Sequence, residues 1–373
     1  RVAKIFPKTG FATQLNGSSQ YWLKSSPSNL DLNGPERLAN TGFETDTTNW
    51  VVRFGSYATS TAQKHSGSKS CLLIAGGAGA AITSETITDA TTNKGTAEVW
   101  VYCGSAASTK SIKLWLLKQD STMIDSTTTT VTAVTWTKLV KNKQWDGTQT
   151  GVKVRIGFNG GASGDSLYID DVSLTQAWDA LYLGIANSTD VSTSQRIFSY
   201  RDGLDCGFEA YCGETANKYT VNLLGGGTNA ISSSLITATA NQTDFTAFTF
   251  DRTGNLTSYL NGINGGGVLA TGIGKVVGTN SSLAIGRYAP NSLQFFSGKL
   301  GEQTLIRFAS LPSDIASTIA HINVMWKRQG FPKAYTGGTI VLDIDWKNQG
   351  MDKSNSGNHL TPTASPPIIQ TKF

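Results

Sequence analysis

Apolar positions along this chain recur mostly at a period of two. In FTAFTF, Phe248 and Phe250 are spaced as a half-buried strand requires. The stretch DRTGN (251–255) supplies turn chemistry, residues 256–260 read as the return strand, and Asn261-Gly262 is a strong hairpin signal because both residues tolerate positive φ. Residues 283–285 and 304–308 read as further strands. Upstream, the same alternation predicts strands at AEVWVYCG (97–104), SIKLWLL (111–117), TWTKLV (135–140), VKVRIGF (152–158), LYIDDVSL (167–174), WDALYLGIA (178–186), IFSY (197–200), GFEAY (207–211) and YTVNLL (219–224). The period changes once. In LPSDIASTIAHINVMWKRQG, Ile315, Ile319, Ile322 and Trp326 are three or four apart. Ser313 is the expected N-cap, Asp314 suits the first turn, Lys327 and Arg328 the last, and Gly330 is the stop. TIVLDIDW (339–346) returns to a strand pattern.

Composition agrees with an all-β chain. There are 40 glycines among 373 residues, hydrophobic residues make up 39% and charged residues only 15%. The length allows two or three domains, each with its own core. The net charge of +5 is scattered without a dense basic run, so no nucleic-acid partner is expected. No apolar run approaches the ~18 residues of a membrane span. No leader peptide is visible, and the sequence begins at Arg1.

Classical reactive motifs are sparse. The three histidines, His65, His321 and His359, have no zinc-pair spacing. There is no G-x-S-x-G elbow. GIGKVVG (272–278) lacks the Gly-Lys-Ser/Thr ending of a phosphate loop. Cys206 and Cys212 flank one strand and would sit roughly 20 Å apart, too far for a disulfide whose Cα atoms lie ~5.5 Å apart. Cys71 and Cys103 fall on different strands, which leaves pairing open. All four cysteines are expected as thiols.

Two resemblances organise these strands. The order "D-x-x-G-N" turn, "Y-x-N-G" hairpin, "IGR" strand and "F-x-G-x-L" strand, found here between Phe245 and Phe308, resembles the second half of a laminin-G-like, concanavalin-A-type jelly roll. Residues 15–34, LNGSSQYWLKSSPSNLDLNG, resemble its opening strand pair. The next strand of that pattern appears only at residues 178–186. The intervening LANTGFET (38–45), Trp50, HSGSKSCLLI (65–74) and closing DDVSL resemble carbohydrate-binding modules of families 4 and 9, with a galactose-binding-like jelly roll. The chain is therefore expected as two nested antiparallel jelly-roll β-sandwiches with one C-terminal helix. Residues 1–35 and 177–338 form the laminin-G-like roll, 36–176 the inserted module, and 339–373 a C-terminal strand and tail. The stretch MDKSNSGNHLT in that tail resembles the piece that usually precedes the opening strand pair. Two outcomes are open: the tail closes its own domain or adds to a neighbouring subunit.

Glycan binding needs open aromatic platforms flanked by polar groups. Trp100 and Tyr102 lie opposite Val99, Val101 and Cys103 on their strand, and Trp115 lies opposite Leu114 and Leu116. These three are the expected glycan-binding residues, on one shared face; the alternative is that a partner domain covers that face or that the rings are core. Trp50 and Trp136 fall where the resembling family mostly packs. The same resemblance implies a structural calcium, carried over to Glu44 and Asp170. One jelly-roll glycosidase family carries "E-x-D-x-x-E" on a strand. Here Val341 and Trp346 stand in the two glutamate places, so that catalytic pair is absent and Asp343 and Asp345 are expected to face solvent or a cation. The expectation is a non-enzymatic structural surface protein with glycan-binding capacity, a phage virion component found at the virion surface or outside the cell, and assembled with other subunits as a homo-oligomer. The alternative is a carbohydrate-binding accessory region of a secreted polysaccharide-degrading enzyme or adhesin.

Overall fold

The computed structural model describes residues 9–25, 27, 30–88, 94–104, 109–144, 151–201, 207–213, 217–225, 228–234, 236–270, 273–274, 276, 282–288, 293–346, 351–354, 360–363 and 368–372. Among them the strands form four antiparallel sheets, with one α-helix. The chain divides into two compact units. One comprises residues 1–32 and 178–373, the other residues 33–177.

In the inserted unit most strands alternate buried and partly exposed positions, while Lys94–Cys103 is buried on both faces over residues 94–99. A five-stranded sheet runs in the order Met123–Val131, Lys110–Lys118, Val152–Phe158, Ala81–Ser84, Trp50–Arg53. A six-stranded sheet runs Thr137–Gln144, Lys94–Cys103, Ser166–Ala177, Ser70–Ala75, Gly55–Ser60, with Asn33–Glu36 also paired to Ser166–Ala177. Val99, Val101 and Cys103 of one sheet meet Ile112, Leu114, Leu116, Val154 and Ile156 of the other in a single core. Trp50 packs into that core against Phe43, with ring centroids 5.4 Å apart.

The outer unit is also a sandwich. Its nine-stranded sheet follows the path Ile263–Leu269, Asn255–Leu260, Asp244–Phe250, Asp179–Ser188, Ser297–Phe308, Thr9–Asn16, Ile368–Lys372. The seven-stranded sheet follows Thr228–Ser233, Tyr219–Gly225, Gly207–Cys212, Gln195–Arg201, Ser282–Ile285, Tyr21–Ser25, Thr361–Thr363. Between them lies an aromatic-rich core that includes Trp22, Tyr182, Phe198, Phe208, Phe248, Phe250 and Trp346. The hairpin at Asn261-Gly262 forms with both φ angles positive, at 52° and 80°, which suits the right-handed twist of the flanking strands.

Two expectations change, and one that was open is resolved. The strand Asp244–Phe250 is buried on both faces, not one. Phe248 and Phe250 enter the sandwich core, while Phe245 and Ala247 pack under Ile319, Ile322 and Trp326 of the helix Ile315–Gln329. The helix covers the face that alternation alone leaves to solvent. Its N-cap is Asp314, not Ser313, and makes no side-chain capping bond. The tail takes the first of its two open outcomes and pairs within its own unit. Gly338–Asp345 pairs with Ser297–Phe308, Thr361–Thr363 with Tyr21–Ser25, and Ile368–Lys372 with Thr9–Asn16. Those strands lie in the sheets of their own unit.

Cys71, Cys103 and Cys212 are free and buried, and Cys206 lies outside the described residues. Burial pushes the Cys71 and Cys212 thiols up to about 12 and Cys103 to about 11. Such thiols are poor nucleophiles at neutral pH.

Candidate functional site

The expected platform residues separate onto two sheets. Trp100 and Tyr102 point outward from the six-stranded sheet, whereas Trp115 points outward from the five-stranded sheet. Their shared face is therefore a misreading. Alternation gives the side of a strand to which a residue belongs, but not the sheet that the strand joins.

On the six-stranded sheet the aromatic rings pack on one another. The His65 imidazole stacks on Trp100 with centroids 3.9 Å apart and planes 14° apart. Trp136 contacts both His65 and Tyr102, each with centroids at 5.6 Å, and Tyr168 meets Tyr102 edge-on at 5.9 Å. A sugar stacking on the Trp100 face that His65 covers would have to displace the imidazole.

The 65–68 turn that delivers His65 is held by carboxylates. Asp170 is fully buried, and its Oδ2 accepts from the His65 and Ser66 amides at 2.8 and 3.2 Å. Asp171, bulged outward with φ 46°, holds His65 Nδ1 at 2.7 Å and accepts from Ser66 Oγ at 2.7 Å. Glu44 accepts from the Ser68 amide at 2.9 Å and from its hydroxyl at 2.6 Å. The Ser68 hydroxyl and then its amide hold the Glu44 carboxyl below the usual carboxylate range. At Asp170 burial dominates and raises the carboxyl despite its amide partners. Gly67 sits at φ 60°, and a Cβ there would lie 1.8 Å from Glu44 Oε1, so the turn and the carboxylate are mutually fitted.

The Glu44 and Asp170 oxygens thus already serve as acceptors for N–H and O–H groups. Among the described residues no group of three or more His, Cys, Asp or Glu is arranged to hold a metal ion. Calcium takes six to eight oxygens. The two carboxylates supply at most four of these, so backbone carbonyls would have to complete such a cage.

The five-stranded sheet presents a different surface. Register aligns Val51, Thr83, Arg155, Trp115 and Ser126 across its outer face. Trp115 is partly exposed and, among the described residues, stacks on no other ring. Lys113 Nζ lies 5.3 Å from its centroid. Arg155 Nε donates to Thr83 Oγ1 at 2.9 Å. Arg53 on the neighbouring strand lies over Phe54 at 4.8 Å. Sequence reasoning passed over Arg53, Lys113 and Arg155. The signal was present in WVVR, SIKLW and VKVRIGF, where each cation alternates with core residues, but it spans three strands that are not adjacent in sequence.

The glycosidase-like strand carries no free acid pair among its described side chains. Val341 and Trp346 are buried, and Asp343 holds Lys333 Nζ at 3.0 Å and accepts from Thr304 at 3.1 Å. The cation that Asp343 faces is that lysine. His321 is exposed on the helix, and His359 lies outside the described residues. No described helix is long and apolar enough to cross a membrane.

No curated protein matches the chain. Among solved structures, the CBM22-1 xylan-binding domain of Xyn10C from Paenibacillus barcinonensis is similar at 15% identity and TM-score 0.32, over 38% of this chain and 94% of that one. A CBM4 structure matches at 14% identity and TM-score 0.30, over 37% and 98%. A heptameric SAP-like pentraxin from Limulus polyphemus matches at 9% identity and TM-score 0.36, over 74% and 95%. Residues 185–316, which contain the hairpin and strands that carried the laminin-G-like resemblance, match the family described as the concanavalin A-like lectin/glucanases superfamily.

Proposed function

We propose that this chain is a non-enzymatic glycan-binding protein and that the inserted unit binds through the outer face of its five-stranded sheet. One observation carries the reading: Trp115 is partly exposed with no ring of the described chain stacked on it, beside the donors Lys113 and Arg155. Sugar C–H faces pack on such a ring while neighbouring donors orient hydroxyls. Trp100 and Tyr102, by contrast, serve the packing of the 65–68 turn, and Glu44 and Asp170 anchor that turn in place of a calcium ion.

The test is a pair of variants on immobilised plant and bacterial polysaccharides. Trp115→Ala should lose retention with little change in melting temperature. Trp100→Ala should lower the melting temperature and keep retention at temperatures where it is folded. The reverse pattern would move the site to the six-stranded sheet.

The setting we infer is an assembled surface, a phage virion with the chain as a repeated subunit. The free, buried thiols support it, because they suit a chain that matures in a reducing cytoplasm. Mass spectrometry that finds the chain in purified phage particles would support this setting. Finding it instead within a secreted polysaccharide-degrading enzyme would favour the accessory role.

A further inference from the structure

The glycan-binding reading leaves open what kind of polysaccharide the Trp115 face takes. Strand alternation sorts the charges on that face. The outward positions are Val51 and Arg53, then Ala81 and Thr83, Lys153, Arg155 and Gly157, Ser111, Lys113, Trp115 and Leu117, and Ser126, Thr128 and Thr130. Four of these are cations and none is a carboxylate.

Elsewhere in the same unit, four lysines are neutralised. Lys110 pairs with Asp165 at 2.7 Å, Lys138 with Glu98 at 2.9 Å, and Lys141 and Lys143 share Asp125 at 3.1 Å. On the Trp115 face, among the described residues, Arg53, Lys113, Arg155 and Lys153 form no ion pair. Arg155 spends Nε on Thr83, which aligns its guanidinium and leaves the terminal nitrogens for another acceptor. The nearby charge of Arg53, together with burial as the larger cause, lowers the Arg155 pKa below its ordinary value. Two like charges are thus held together without a protein counter-ion, an arrangement that an anion relieves.

We infer that the Trp115 face binds an anionic polysaccharide, one whose sugars bear carboxylate or sulfate groups. The ring takes a sugar face, and Arg155, Arg53 and Lys113 take the acidic substituents through charge-assisted bonds. A nucleic acid is the competing polyanion. A single partly exposed tryptophan on a short sheet face lacks the succession of stacking rings that single strands use, and the chain's net charge is only +5.

This inference rests on the glycan-binding reading, and the experiment separates the two. Affinity electrophoresis of the full chain is run through gels containing polygalacturonate, dextran sulfate or neutral xylan. The variants are Arg155→Gln, Lys113→Gln, Arg155→Lys and Trp115→Ala, each checked for an unchanged melting transition. Wild type should be retarded by an acidic polymer more than by xylan, and the retardation should fall as salt rises, because exposed charges are screened. Arg155→Gln or Lys113→Gln should weaken acidic binding about tenfold, as expected for one charge-assisted bond. Arg155→Lys should recover part of the loss. Preferred binding of xylan that survives Arg155→Gln but not Trp115→Ala overturns the charge inference and keeps the glycan reading. No retardation by any polymer overturns both. Equal retention of a single-stranded oligonucleotide, with equal loss in Arg155→Gln, overturns the inference in favour of unselective polyanion binding.

Discussion

Trp346→Ala tests whether the tail belongs to the fold of its own unit. Trp346 follows the strand Gly338–Asp345, is 2% exposed, and packs against Trp22 with centroids 5.4 Å apart. Its Nε1 donates to the Gly301 carbonyl. That carbonyl also accepts from Gln303 Nε2 at 3.0 Å, so truncation orphans no acceptor, and the cost is packing alone. Replacing a buried Trp by Ala costs about 3–5 kcal/mol, and losing the ring pair adds about 0.5–1.5 kcal/mol. The total approaches the lower end of the 5–15 kcal/mol that typically holds a domain together. At about 2–4 °C per kcal/mol for a unit of this size, the melting transition should fall by about 10–20 °C. Scanning calorimetry of the full chain should show the outer unit's transition moving while that of the inserted unit stays. A shift below about 3 °C would refute the argument, because it would mean that Trp346 is not a core residue and that the tail pairs elsewhere.

Two further outcomes follow from the site and the loops. Removal of divalent cations with a chelator, and calcium addition afterwards, should leave the inserted unit's melting temperature unchanged. A rise with calcium would return Glu44 and Asp170 to the role of metal ligands. Asp190 is held down to about 2 by the Ser192 and Thr193 hydroxyls. A depressed folded-state carboxyl contributes stability above its unfolded pKa and loses it as pH falls through the folded value. The outer unit should therefore lose this contribution between about pH 4 and pH 2, and acid titrations of Asp190→Asn followed by circular dichroism should show a shallower decline in that window. Asp190 is partly exposed, so solvent screening keeps the effect small.

The local parts of this fold were legible in the sequence. Asn261-Gly262 declares its hairpin because backbone sterics at two residues decide it. Ile319, Ile322 and Trp326 declare a helix with a buried stripe. What depends on pairing between distant strands was not legible. Trp100 and Trp115 show the same alternation yet join different sheets. The burial of both faces of Asp244–Phe250 depends on a helix that follows some 65 residues later. The site was half legible for the same reason. Trp115 stood out as an aromatic residue among aliphatic ones. Arg53 and Arg155 become neighbours only after Ala81–Ser84 is inserted between their strands.

The pairing of both chain ends has a kinetic consequence. Thr9 pairs with Lys372, and Leu23 pairs with Thr361. The strands of Thr9 and Leu23 therefore leave a ribosome well before the strands that they pair with. At about 5–20 residues per second the delay is tens of seconds. During that time Thr9–Asn16 and Tyr21–Ser25 can pair on one edge, with Ser297–Phe308 and Ser282–Ile285, but stay open on the other, while every paired strand of residues 33–177 finds its neighbours within that segment. The inserted unit can be complete on a nascent chain whose first strands are still open to misassociation. Long-range pairings of this kind also slow refolding, since loop closure precedes any gain from the contacts. Translation that stops shortly before residue 360 would release a finished module joined to an outer sandwich with unclosed edges, a species prone to aggregate through the part that does not carry the candidate site.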